Sequence, residues 1–147
     1  YAETIRAQRA FFLPASNARI SHIDVRDLAR VAVTVLTDTS HIGQAYDLSG
    51  PEALSYEEIA QKLSAVTGRE ISYVDISDAD FRKAVISAGI TAAAADAMLE
   101  LFQYYNSGAA SRVSRNVELL TGHAPLSFDE YARDYRSYFL PSAKAAG

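Results

Sequence analysis

The chain has 147 residues, 49% of them hydrophobic and 22% charged, which is one domain's length with an ordinary globular composition and enough apolar side chains for a core. A formal net charge of -4 with 14 scattered basic residues offers no positive stripe for nucleic acid. The lack of cysteine excludes disulfides, thiolate nucleophiles and thiolate metal sites, and no apolar run reaches the roughly 20 residues of a membrane helix, so a soluble, cytoplasmic protein without nucleic-acid or membrane partners is expected.

The first residues, "YAETIRAQ", enter as if in the middle of an element, without an initiator methionine, and read as the opening of a fragment, a processed chain or an excised domain. Short extended pieces are predicted at "AFFLP", "RISHI", "AYDLS" and "EISYVDI". After "RISHI", Asp24 falls where a helix N-cap belongs, and Asp27 adds negative charge at the positive end of the helix dipole. Leu28, Val31, Ala32 and Val35 recur at the spacing of a helix that buries one face. Ser55 with Glu58 forms a capping box and Leu54 with Ile59 a hydrophobic staple, opening a helix that Gly68 ends. Ser77 with Asp80 opens another, closed by Gly89, and Thr91 caps the alanine-rich "AAAADAMLELFQYYNSG", which exits at Gly108. Ser127 with Glu130 repeats the capping box and Leu126 with Tyr131 the staple, predicting a last helix over 128–139 that Pro141 ends. Strands alternating with helices indicate α/β organisation, although the strands are short and the chain from about Asp78 onward is almost wholly helical.

No complete catalytic site can be written from these residues. The seven glycines stand singly, so neither G-x-G-x-x-G nor a P-loop is present to cradle phosphate. None of the nine tyrosines has a lysine four residues on, there is no G-x-S-x-G elbow, and His22, His41 and His123 lack metal-ligand spacing. Two readings stay open for His22, which lies at the end of the predicted strand next to Asp24: a half-buried strand histidine packed on the helices, or a substrate contact at the end of a sheet, where open α/β folds place their crevice. In the "LELFQYY" stretch, Met98, Phe102 and Tyr105 are candidate pocket residues, against the alternative that an aromatic stripe at helical spacing is core.

The runs "AFFLPASNARISHIDVRDLARVAVTVLTD", "GQAYDLSGPEALSYEEIAQKLSAVTGREISYVDIS" and "VELLTGHAPLSFDEYARDY" resemble the C-terminal half of NmrA-like proteins, an atypical branch of the short-chain dehydrogenase/reductase superfamily with NAD(P)H-dependent quinone reductase-like members. The resemblance extends from about Ile5 to Tyr138. It implies the C-terminal portion of a Rossmann-type fold: a residual sheet portion over 1–77, a helical substrate lobe over 78–140 and a flexible tail over 141–147. The N-terminal half, with its glycine-rich turn and most of the dinucleotide site, is the part not represented.

Three functions follow as expectations. The chain is the substrate-lobe portion of an NAD(P)H-dependent oxidoreductase acting on a quinone or similar small carbonyl compound, inactive alone, with His22, Asp24, Met98, Phe102 and Tyr105 near the substrate. Alternatively, it is a non-catalytic, nucleotide-sensing or regulatory module, or a small ligand-binding domain that self-associates through the orphaned sheet. NADP or NAD belongs to the parent protein in the first reading, with no cofactor or metal expected for this chain alone. Its partners are then the small-molecule substrate and the missing half, or a second copy of itself.

Overall fold

The structure is a computed structural model that describes residues 2–141; residues 142–147 of the expected flexible tail lie outside the described residues. Helix α1 (Ala2–Gln8) leads into strand β1 (Ala10–Leu13) and then β2 (Arg19–Ile20) and helix α2 (Val25–Thr37). Strand β3 (Leu54–Ser55) runs directly into α3 (Tyr56–Thr67), followed by β4 (Ser72–Asp75), α4 (Asp78–Ser87) and α5 (Ala92–Asn106). Helices α6 (Asn116–Thr121), α7 (Phe128–Asp134) and α8 (Arg136–Phe139) complete the chain. The class is α/β, with few short strands and a helical second part, as expected.

The strands form two separate pairs. β1 and β4 are parallel, with Phe11 opposite Tyr73 and Leu13 opposite Asp75, while β2 and β3 are antiparallel, with Ile20 opposite Leu54. Ile5, Phe11, Leu13, Ile59, Leu63 and Ile71 form the centre of the core, which extends through Phe81 and Phe102 to the later helices.

The expected helix starts are in place. Ser55 Oγ accepts from the Glu58 N–H at 3.2 Å while Glu58 Oε2 accepts from the Ser55 N–H at 2.8 Å, and Ser127 with Glu130 forms the same reciprocal pair. Ser77, Thr91 and Asp24 each cap their helix through a side-chain oxygen, and Gly68 ends α3 at φ 70°.

Four local expectations are corrected. The "RISHI" strand stops at Ile20, because Ser21 turns away to bond the Ala110 and Arg112 carbonyls, so His22 and Ile23 lie outside it. "AYDLS" is not a strand, since no strand pairs with it among the described residues. α2 buries Asp27 and Val31, whereas Leu28 and Ala32 are exposed, because the helix turns its Asp27 face toward α6 and the loop before α7. The single last helix is broken at Tyr135, where φ is -102° and ψ 17°; Arg136 Nε on the next residue donates to the Val66 carbonyl at 2.7 Å and ties α8 to α3.

Candidate functional site

A cavity of about 440 Å³ opens between α3, the start of α2 and the α7–α8 pair. Its volume is in the range that holds one small organic molecule. One wall is Phe11 and Tyr56, whose rings meet edge to face with centroids 6.1 Å apart. The opposite wall is Phe128, Tyr131, Tyr135 and Phe139, with Tyr131 and Tyr135 only 4.9 Å apart. Ile5, Ile59 and Leu63 close the floor. Each wall has a local cause. Strand β1 presents Phe11 inward by its alternating burial, α3 brings Tyr56 in on its first turn, and positions 128, 131, 135 and 139 share one side of the α7–α8 segment.

His22 stands at this cavity, its ring edge to face with Tyr56 at 6.2 Å. Its surface is open to solvent on one side, yet the apolar groups packed around the ring push its pKa below the ordinary histidine value. The imidazole is therefore neutral near pH 7, and among the described residues no side-chain hydrogen bond uses either ring nitrogen. One nitrogen can donate to a ligand and the other can accept. Behind His22 the chain passes so close to Gly50 that a Cβ there would collide with the His22 carbonyl oxygen. Only glycine fits that crossing, which fixes where the imidazole is carried.

Asp24 also lines the cavity, but its carboxylate is committed. It caps α2 through the Arg26 N–H at 2.8 Å and receives Arg26 Nε and Nη2 at 2.9 and 2.8 Å. The Arg26 guanidinium holds the Asp24 carboxyl below the usual carboxylate range, so it is ionised across neutral pH. Arg26 in turn bonds Asp134 at 2.6 Å and lies over the Tyr135 ring, 5.6 Å from its centroid. Asp24 is thus a clamp that anchors the wall through Arg26, and its oxygens are not available as a general base. Burial, with Tyr135 and Asp24 nearby, pushes the Tyr131 phenol up, keeping it neutral.

Met98, Phe102 and Tyr105 are elsewhere. Phe102 is buried against Phe81 at 5.2 Å, Tyr105 packs on Phe102 at 6.0 Å, and Met98 is half-buried on the same core; none of the three lines the cavity. The aromatic stripe in "LELFQYY" therefore packs the helical half. Phe128, Tyr131 and Tyr135 were missed as site residues, although "FDEYARDYRSYF" carries an aromatic stripe at helical spacing as plainly as α5 does.

A model of the NmrA-like family matches residues 6–132. The chain belongs to the NmrA-like family. It is 37% identical over 139 residues to an NAD(P)H azoreductase of Xenophilus azovorans, covering 95% of this chain and 49% of that protein. It is 30% identical over 138 residues to agroclavine dehydrogenase of Claviceps fusiformis, covering 94% of this chain and 48% of that protein. Among solved structures, an NADPH-dependent quinone oxidoreductase from Escherichia coli superposes with a TM-score of 0.83 at 24% identity, over 92% of this chain and 49% of that one. This member of the family spans about half the length of the curated relatives it matches.

A dinucleotide would need backbone N–H groups converging on its phosphates. The positive-φ glycines among the described residues, Gly43, Gly68, Gly89, Gly108 and Gly122, sit one at a time in separate turns. These residues do not fit the phosphates of NAD(P)H.

Proposed function

We propose that this chain is the substrate-side half of an NAD(P)H-dependent reductase whose acceptor is a quinone or similar small, flat carbonyl compound. The observation that carries this reading is an aromatic-walled cavity with an imidazole at its edge whose ring nitrogens make no side-chain hydrogen bond among the described residues. The aromatic walls suit a flat ring, the apolar floor excludes water, and His22 can donate one hydrogen bond to an acceptor oxygen. Such a bond favours negative charge developing on that oxygen as the ring is reduced. The relatives named azoreductase and dehydrogenase support redox chemistry for the whole protein. The reducing nucleotide belongs to a companion half, and the chain alone is inactive.

The test is a titration of the chain with 1,4-naphthoquinone, read by quenching of tyrosine fluorescence. Saturable one-to-one binding that weakens at least tenfold in Tyr131→Ala supports the reading. Binding that is absent, or indifferent to both Tyr131→Ala and His22→Ala, overturns it.

A further inference from the structure

The charged groups around the cavity are unevenly matched. On the α2 side the Asp24 carboxylate, whose side chain is only 4% exposed, receives Arg26 Nη2 at 2.8 Å, and the same guanidinium gives Nη1 to Asp134 at 2.6 Å. Two carboxylates thus share one cation. The opposite end of α7 repeats the ratio, with Lys62 Nζ 2.7 Å from Asp129 and 3.3 Å from Glu52. Phe128 and Tyr131 lie on α7 between these clusters, so this wall is bracketed by carboxylates in excess. Neighbouring charges cancel, Asp27 against Arg30 at 2.7 Å and Glu130 against Arg133 on the same helix.

Among the described residues, no lysine or arginine lines the cavity itself, and the one ionised side chain in its lining is the Asp24 carboxylate. The rest of the surface is largely ring faces and aliphatic floor. The face of an aromatic ring carries partial negative charge and attracts a cation, more strongly where water has been displaced. The wall already does this once, since the Arg26 guanidinium lies over the Tyr135 ring, 5.6 Å from its centroid. An apolar lining also screens charge less than bulk water does, so the surplus carboxylate acts further into the cavity. Its reach shows at Tyr131, whose phenol is pushed up by burial first and then by the nearby Tyr135 and Asp24. An anionic ring meets the opposite situation: it gives up its water and finds a carboxylate with no cation in the lining to pair with.

We infer that the cavity selects flat rings carrying a positive charge, a quaternary ring nitrogen for instance, over uncharged rings of the same shape, and rejects rings that bear a carboxylate or sulfonate. The charged part of the ligand stands against Tyr131 and Tyr135 on the side of Asp24, which leaves His22 to donate to an acceptor oxygen elsewhere on the ring system. The inference rests on this cavity being the acceptor site of the proposed reductase, and it narrows that acceptor to a cationic one.

The experiment compares three probes of similar shape, N-methylquinolinium, 1-methylnaphthalene and 1-naphthoate, titrated into the chain and read by chemical-shift changes of the Tyr131 and Tyr135 ring resonances. The cation is expected to bind about tenfold more tightly than the neutral probe, and the anion more weakly than either. Asp134→Asn keeps an oxygen for Arg26 while leaving one carboxylate to one cation, so the advantage of the cation should fall by about threefold or more, with the affinity for 1-methylnaphthalene and the melting curve unchanged. In the unaltered chain the advantage should also shrink as sodium chloride is raised, since the Asp134 side chain is 51% exposed. Equal affinity for the cation and the neutral probe, tighter binding of 1-naphthoate, a cation advantage indifferent to both Asp134→Asn and salt, or shifts that bypass Tyr131 and Tyr135 overturns the inference. The two readings fail separately. Naphthoquinone binding without a cation advantage defeats the charge preference alone, and a cation advantage without naphthoquinone binding upholds the charge preference and defeats the reductase reading alone.

Discussion

The buried carboxylate of Asp27, in the first turn of α2, accepts a hydrogen bond at 2.7 Å from the backbone N–H of Leu126, 99 residues further along the chain. Its other oxygen receives Arg30 at 2.7 Å. One side chain thereby sets where α7 begins, and with it the aromatic wall of the cavity. Asp27→Ala should cost about 1–3 kcal/mol in urea unfolding, because the Leu126 N–H loses its acceptor in a buried place. Asp27→Asn retains an acceptor oxygen and should cost less than the alanine variant. Equal losses in the two variants would show that the latch to Leu126 is not the source of the stability.

Asp24→Ala removes the α2 cap and releases Arg26 from its bidentate partner, with an expected loss of about 1 kcal/mol from the cap alone. Asp24→Asn should recover most of that. If stability stays constant while naphthoquinone binding disappears, Asp24 acts on the ligand and not through the helix.

Gly50→Ala brings a methyl group onto the His22 carbonyl and forces one of the two backbone segments to move. Overpacking of this kind costs about 1–3 kcal/mol. The imidazole proton resonances of His22 should shift in the same variant. An unchanged spectrum would mean that the crossing at Gly50 does not position the ring.

The His22 imidazole is harder to protonate in the folded chain than in the unfolded one, because its apolar surroundings penalise the charged form. Between the two pKa values the unfolded state binds more protons, so its contribution to stability is fully present above the unfolded value of about 6.5 and is lost as pH falls toward the folded one. An NMR titration should place the His22 midpoint below 6.5, and His22→Gln should flatten this part of the stability profile. A midpoint above 6.5 would reverse the sign and contradict the surroundings described for the ring.

Tyr131→Phe should leave naphthoquinone affinity within about twofold, since the wall contributes ring area and the Tyr131 phenol is kept neutral. A larger loss would assign the hydroxyl, and not the ring, to the ligand.

Local signals made the helix starts legible. Ser55 with Glu58 and Ser127 with Glu130 satisfy each other within four residues, so nothing distant can overrule them. Features decided by distant neighbours were not legible in the same way. "AYDLS" has strand composition but no strand partner among the described residues, and α2 has an amphipathic pattern that gives no sign of facing away from its own core. The site divided along the same line. His22 and Asp24 follow from their place at a strand-to-helix junction, and both border the cavity. Phe102 and Tyr105 share their spacing with Tyr131 and Tyr135, and only packing against Phe81 separates core stripe from cavity wall.

The parallel pairing of β1 with β4 joins distant points of the chain, Leu13 and Tyr73 being 60 positions apart, and α2, β3 and α3 lie within that interval. Closing such a loop precedes any reward from the contacts it makes, so this sheet forms late and slows folding compared with a bundle of local helix contacts. Until it closes, the "AFFL" segment is a short, uncharged, β-prone edge without its partner, in a chain whose α2 also leaves Leu28 exposed. Dilute, slow removal of denaturant is therefore the condition under which soluble chain should be recovered in highest yield.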